Sequence, residues 1–313
     1  MKLISFVFSF RNEEKNLKNL VDRVHKAVKK TGNWSYELIF VNDDSTDNSE
    51  KTLIDLQKEF PIKIINMSRR FGTNPCVLAG FENCSGDCVI YMDSDLQDPP
   101  ELITELIKQH EKGFEVVHTR RTKRLGEPKS KLFFTNIAYT IINKLSDIDL
   151  ENDVGDFKLI SRRALDKILE QNEYSPYIRG LSVWVGFKQT YVDYIRDARV
   201  AGESKFSLFA EGPVTQFVRG VTSYSLKPLY LGVLLGFFAL LFSIFLIIFA
   251  LYAKITDIAV PGTTGILIVI SFFSGTLLST MGIMGIYIAR IFEQTRGRSR
   301  YVIKNIKDYK QQK

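Results

Sequence analysis

Residues 86–101 read G-D-C-V-I-Y-M-D-S-D-L-Q-D-P-P-E. Residues 88–92 form a short apolar run with the length and β-branched content of a buried strand. It runs directly into Asp93, Ser94, Asp95, Gln97 and Asp98 and stops at Pro99-Pro100. Pro100 followed by Glu101 predicts a helix start, because proline suits the first turn and an acid suits its positive end. Carboxylates this close at a strand's carboxyl end repel one another unless a cation lies between them. That end is also where open α/β sheets bind ligands. A hard divalent ion holding a diphosphate satisfies both conditions, since Mg²⁺ takes one or two carboxylates together with phosphate oxygens.

Outward from this stretch, the same alternation repeats. Residues 3–10, 37–41, 62–66 and 114–119 read as further strands. Between the first two, Leu17, Leu20, Val24 and Val28 form a helical stripe. Leu53, Leu56 and Phe60 mark a second helix, for which Thr46 or Asp47 is a candidate cap. A third helix covers residues 77–82, and Ser161 is placed to cap another that ends near Leu169. Residues 177–187 are a helix or loop, and 189–195 a strand. Strand and helix in alternation predict a doubly wound, mostly parallel α/β sheet with right-handed crossovers. No Gly-x-Gly-x-x-Gly loop follows the first strand, which excludes the usual dinucleotide-binding variant. The basic run containing Arg120, Arg121, Lys123, Arg124, Lys129 and Lys131 follows a strand end, where it is placed to meet phosphates.

The chain has 313 residues, 45% hydrophobic and 25% charged, with a formal charge of +7. Neither property is evenly spread. Residues 229–253 and 265–289 carry no charge and are each long enough to span a bilayer. Residues 207–227 alternate apolar and polar positions, as an interfacial amphipathic segment does. The tail carries Arg290, Arg296, Arg298, Arg300, Lys304, Lys307, Lys310 and Lys313 against Glu293 and Asp308, a balance suited to an anionic membrane surface and not to nucleic acid. The linker between the spans is nearly neutral, so both termini are expected on the cytosolic side. Ser271, Gly275 and Ser279 form a small-residue row in the second span, a candidate packing seam within the hairpin or between protomers. Cys76, Cys84 and Cys88 have no histidine nearby and read as reduced core residues.

Taken together and in order, several motifs carry a family resemblance: Asn12-Glu13, residues 41–47 (V-N-D-D-S-T-D), residues 92–100 (M-D-S-D-L-Q-D-P-P), Gly155-Asp156-Phe157, and Arg199 to Lys205. The chain resembles the polyisoprenyl-phosphate glycosyltransferases of the inverting GT-A class in family 2, which include dolichol-phosphate mannose synthase and, most similar in its two spans, bactoprenol glucosyltransferase. The resemblance implies a cytosolic GT-A domain over residues 1–206, interfacial helices over 207–228, a transmembrane hairpin over 229–291 and a basic cytosolic tail over 292–313. It implies transfer of a sugar, glucose from UDP-glucose first, to polyprenyl (undecaprenyl) phosphate at the inner face of a bacterial plasma membrane. GDP-mannose and UDP-GlcNAc are the alternative donors. A processive polysaccharide synthase would share the Asp-x-Asp domain, but no Gln-x-x-Arg-Trp string is present. The implied nucleotide-sugar contacts are Ser9, Arg11, Glu13, Asp43, Asp93, Ser94 and Arg120. Asp93 and Asp95 would hold Mg²⁺ or Mn²⁺, and Asp95, Gln97 and Asp156 would serve the reaction, Asp156 as base or as positioning residue. Arg199, Ser204 and Lys205 would meet the acceptor phosphate, and a homo-oligomer is expected. Two departures from the family pattern, Ser9-Phe10-Arg11 where a Pro-x-Tyr is usual and Asp44 where glycine is usual, lie at the implied nucleotide base.

Overall fold

The computed structural model describes residues 2–124, 151, 153–196, 220–256 and 262–309. They fall into two compact units, one built on a sheet and one on two long helices.

The sheet unit begins with β1 (Lys2–Phe10), α1 (Glu14–Lys29), β2 (Trp34–Asn42), α2 (Ser49–Leu56), β3 (Ile62–Met67), α3 (Thr73–Glu82) and β4 (Cys88–Tyr91). A 3₁₀ turn (Pro100–Leu102) then leads into α4 (Ile103–Glu111), β5 (Val116–Arg124), β6 (Val154–Ser161), α5 (Arg162–Glu170), α6 (Ile178–Trp184) and β7 (Gln189–Arg196). The final strand, β8 (Ile303–Asp308), comes after the two long helices. Sheet order is β7-β5-β6-β4-β1-β2-β3-β8. The β1/β2, β1/β4, β2/β3 and β5/β7 pairs are parallel, and β6 and β8 run antiparallel to their neighbours.

Alternation along β1 sends Ile4, Phe6, Phe8 and Phe10 to the face covered by α1, α2 and α4, where the predicted stripe of Leu17, Leu20, Val24 and Val28 is buried. Phe8 stacks on Phe40 of β2 at 4.7 Å. The other face, with Val7, Ile39, Val41 and Val89, is covered by α3, α5 and α6. Both faces of β1 are therefore buried, as expected for a central strand of a largely parallel sheet. Ser161 accepts a 3.1 Å hydrogen bond from the Ala164 amide and caps α5 as its sequence predicts. At α2 the cap is different. Asn48 holds the capping position, and Asp47 instead accepts from the Ser49 amide at 3.1 Å, inside the turn before the helix. Among the three free cysteines Cys76 and Cys88 are buried and Cys84 is half-buried, and burial pushes all three thiols up.

Two strands escape the reading from sequence. β6 was approached only through its Gly-Asp-Phe motif, and β8 lies in the segment read as a basic tail. Lys307 pairs with Glu50 at 2.8 Å and Arg300 with Glu82 at 2.8 Å, so part of the tail's charge is spent within the sheet unit.

The second unit contains α7 (Lys227–Ile255) and α8 (Gly262–Thr295). Segments Lys227–Ala253 and Ile268–Thr295 are long and apolar enough to cross a membrane, and almost none of that surface is buried in the protein. The two helices meet where Thr280 sits 3.1 Å from the place a Cβ would occupy on Gly232, and where Phe242 packs edge-on against Phe272. Ser271, Gly275 and Ser279 are exposed and take no part in this seam. Residues 132–145, which are apolar at helical spacing, and residues 207–219 of the amphipathic segment lie outside the described residues.

Close approach of α3 to β1 depends on Gly80: a Cβ there would lie 2.3 Å from Cγ1 of Val7, a stiff side chain in the core. Gly80→Val is expected to destabilise the sheet unit by about 2 kcal/mol or more, read as a lowered unfolding midpoint in detergent.

Candidate active site

Register assembles the site. β1 pairs with β4 so that Val7 faces Tyr91, and β4 pairs with β6 so that Tyr91 faces Lys158. Carried two residues further, the same registers set Ser9, Asp93 and Asp156 side by side at one end of the sheet. β2 adds Asp43 at that end, directly after Asn42, the partner of Phe10.

The loop after β4 folds over these strand ends. Tyr91 donates its hydroxyl to Asp93 Oδ1 at 3.2 Å, and Ser94 Oγ donates to the Ser9 carbonyl at 3.2 Å. The Gln97 amide donates to Asp95 Oδ1 at 3.2 Å, with Leu96 between them at φ 58°. Asp98 turns the other way. It is buried and accepts from Arg121 at 3.3 Å and from the Tyr194 hydroxyl. Arg121 also donates Nε to Tyr194 at 2.8 Å. A buried pair of this kind costs about 3–5 kcal/mol to break, so the Asp-Pro-Pro part of the motif serves as an anchor between the loop, β5 and β7. Gly155 leaves room for it, because a Cβ there would sit 2.9 Å from the Arg121 guanidinium.

Asp156 is gripped by Arg179 of α6, through Nε at 2.7 Å and a second bond from Nη2. The Arg179 guanidinium holds the Asp156 carboxyl well below the usual carboxylate range against the opposing effect of burial, and Lys158 and Arg121 add to it. The Asp156 and Arg179 side chains are 26% and 25% exposed, so this pair is ordered yet open to a ligand. Asp93 moves in the opposite direction: burial first, then Asp156, Asp95 and Asp98, push its carboxyl up. Lys158 is fully buried, donates to Ser182 Oγ at 3.0 Å, and is pushed down to about 8 by burial against the pull of Asp156.

A divalent cation fits this donor set. Asp93 and Asp95 present carboxylate oxygens beside other acids, which with burial disfavour the ionised form of Asp93, so positive charge nearby would stabilise it. Among the described residues no three acidic, histidine or cysteine side chains converge as a complete cage. Mg²⁺ does not require one when phosphate oxygens complete its shell.

On the β1–β2 side, Asp43 is buried and accepts from the Phe71 amide at 2.6 Å and the Gly72 amide at 3.0 Å. Glu13 Oε2 accepts from Asn16 at 2.7 Å, and its amide donates to Ser49 Oγ at 2.9 Å. Arg11 Nε reaches the Asp44 carbonyl at 3.5 Å. Asp44 itself has φ 57°. The usual glycine at this position thus has a conformational reason, and an aspartate tolerates the left-handed region better than most residues.

Arg120 does not join this group. It is held between Asp193 at 2.7 Å and Glu151 at 2.6 Å, on the opposite side of β5 from Arg121. Its neighbour Arg121 is the one that turns toward the acidic loop, a choice set by strand alternation and by Asp98. Arg199, Ser204 and Lys205, together with Lys129 and Lys131, lie outside the described residues. Arg179, Lys158 and Tyr91 were not singled out from sequence; the available signal was a lysine at the centre of an apolar strand.

The description "Glycosyl transferase family 2" fits residues 5–169 of this chain. A relative named "Uncharacterized glycosyltransferase YkcC" from Bacillus subtilis is 37% identical over 309 residues, 96% of this chain and 92% of its own. One named "Bactoprenol glucosyl transferase" from Shigella phage SfV is 33% identical, covering 97% of this chain and 99% of its own. A crystal structure of glucosyl-3-phosphoglycerate synthase from Mycobacterium tuberculosis is 18% identical, with a TM-score of 0.49 over 71% of this chain and 80% of its own.

Below the site, His118 is buried, donates Nε2–H to Gln189 Oε1 at 2.9 Å, and has no partner at Nδ1. Burial, then the Lys158 charge, push it down to about 3. The unfolded chain therefore binds a proton that the folded one refuses between the ordinary histidine pKa and about 3. This contribution is complete above about pH 6.5 and is lost as pH falls, with a slope of up to about 1.4 kcal/mol per unit. His118→Leu is expected to flatten the acid side of the stability–pH curve, measured by denaturant unfolding across that range.

Proposed function

The chain belongs to glycosyl transferase family 2, and from that premise we propose that it transfers glucose from UDP-glucose to a polyprenyl phosphate at the cytosolic face of a bacterial plasma membrane, with inversion at the sugar. One observation carries this reading. The acidic site at the sheet edge belongs to a chain that continues into two membrane-length apolar helices, and relatives named bactoprenol glucosyl transferase match it over nearly their whole length.

In the reaction the bond from the sugar carbon to the donor phosphate breaks, and an oxygen of the acceptor phosphate forms the new one. Negative charge develops on the departing nucleoside diphosphate. A divalent ion, bound through Asp93 and Asp95, would neutralise that charge. A phosphate monoester has its second pKa at about 6 and is mostly ionised at neutral pH, so the acceptor needs orientation more than deprotonation. The low carboxyl pKa that Arg179 imposes makes Asp156 a weak base and supports a positioning role for it. Ser9, Glu13, Asp43 and Ser94 frame the donor side. Gln97 would stand beside the sugar.

β8 supports the orientation. It follows both apolar helices yet pairs with β3, as expected if two crossings return the chain to the side on which it began. A tag between the helices is expected on the outer face and one at the C-terminus on the cytosolic face; protease access to the C-terminal tag in intact cells would refute this.

Transfer of radiolabelled glucose to undecaprenyl phosphate tests the chemistry, with GDP-mannose and UDP-GlcNAc as competing donors. EDTA and Asp95→Ala are each expected to abolish it while the protein stays folded. Near-normal turnover of Asp95→Ala at saturating Mg²⁺ or Mn²⁺ would remove the metal role.

A further inference from the structure

The loop carrying Asp43 is held by a line of side-chain amides that starts on the C-terminal strand. Asn66 of β3 donates both hydrogens of Nδ2, one to Asn305 Oδ1 of β8 at 2.8 Å and one to Glu50 Oε1 at 2.7 Å. An amide whose nitrogen is committed this way has only its oxygen left to offer. That oxygen accepts from Asn42 Nδ2 at 2.9 Å, and Asn42 in turn accepts the Ser45 amide on its own Oδ1 at 2.9 Å. Each link fixes the orientation of the next. The far end closes the turn over Asp43 and Asp44, where Asp44 sits in the left-handed region that disfavours a side chain.

β8 sets the near end twice. Asn305 supplies one acceptor, and Lys307 pairs at 2.8 Å with Glu50, which supplies the other. β8 also covers the edge of β3 and sets Asp308 3.5 Å from Lys63, yet none of its side chains is fully buried, and Asn305 is exposed. A strand added only to complete the core would bury apolar side chains, and this one does not.

We propose that Asn305 and Lys307 are positioning residues for the nucleotide-sugar site, acting through Asn66, Glu50 and Asn42 on the turn that presents Asp43. The strand behind the membrane helices is thereby a working part of the donor site. This rests on the reading of the Asp43 turn as a donor-binding element.

The test uses the full-length enzyme in detergent with UDP-glucose as probe. Asn305→Ala removes the acceptor, Asn305→Asp keeps it, and Arg300→Ala loosens the tail at Glu82 without touching the amide line. Two readouts are taken: kcat and KM for UDP-glucose, and amide hydrogen exchange of residues 42–49 without nucleotide. Asn305→Ala is expected to raise KM roughly three- to tenfold, the worth of about one hydrogen bond, with kcat within about twofold and faster exchange at Ser45. Asn305→Asp restores both values and Arg300→Ala changes neither. Wild-type KM and exchange in Asn305→Ala would overturn the proposal, as would an equal effect from Arg300→Ala, which would make β8 a clamp only. If wild-type enzyme does not use UDP-glucose, the donor assignment falls, and the exchange measurement still decides the amide line.

Discussion

Crowding of carboxylates at one sheet edge is the constraint on which the rest of the sheet unit turns. Asp93, Asp95, Asp98 and Asp156 are close enough to raise the pKa of Asp93 together with burial. Left unbalanced, such a group would protonate or spread apart. The protein balances part of it with its own cations. Arg121 takes Asp98 and Arg179 takes Asp156, each from a different element. Lys158 adds a buried charge beneath them. What the protein's cations leave at Asp93 is the field a divalent ion and a diphosphate would enter, and it is built before either arrives, which is how preorganised charge stabilisation works.

The same edge is where the backbone leaves its ordinary regions. Asn12, Asp44, Leu96 and Asp153 all have positive φ without being glycine, and they follow β1, β2 and β4 or precede β6. Conformations of this kind persist only where surrounding structure holds them. Here Asn12 is tied to Ser45 and Thr46, Asp44 lies inside the Asn42–Ser45 turn, and the Asp153 carbonyl accepts from the Arg121 amide. The loops are thus knitted to one another, and the Asp43 turn depends in part on a strand contributed from the far end of the chain.

The helical unit follows a different rule. Its surface is Phe, Leu and Ile left open, which in water would be a large aggregation hazard and in lipid is an ordinary exterior. The small-residue row at Ser271, Gly275 and Ser279 has the spacing of a packing seam, yet contact falls instead on Gly232 and Thr280. Spacing alone identifies a face; which face meets the partner helix is settled by how the two helices are rotated.

Local order was legible in the sequence because it is local. Short apolar runs marked β1 to β5, and β7 was read as a strand after its helix or loop; the stripe of Leu17 to Val28 gave away α1, and two uncharged runs marked α7 and α8. The acidic loop after β4 was legible because one short segment carries both the strand and its carboxylates. The tertiary structure alone decided which charges meet. β6 runs antiparallel into the sheet and thereby sets Asp156 beside Asp93, and α6 brings Arg179, although these residues are far apart in the chain. Strand alternation sent Arg121 to Asp98 and Arg120 away to Asp193 and Glu151. β8 carries too little apolar patterning to announce itself, and its place is set by an open edge on β3 that only the assembled sheet presents. Propensity acts over a few residues, whereas charge pairing and strand register act between segments that the chain must first fold to bring together.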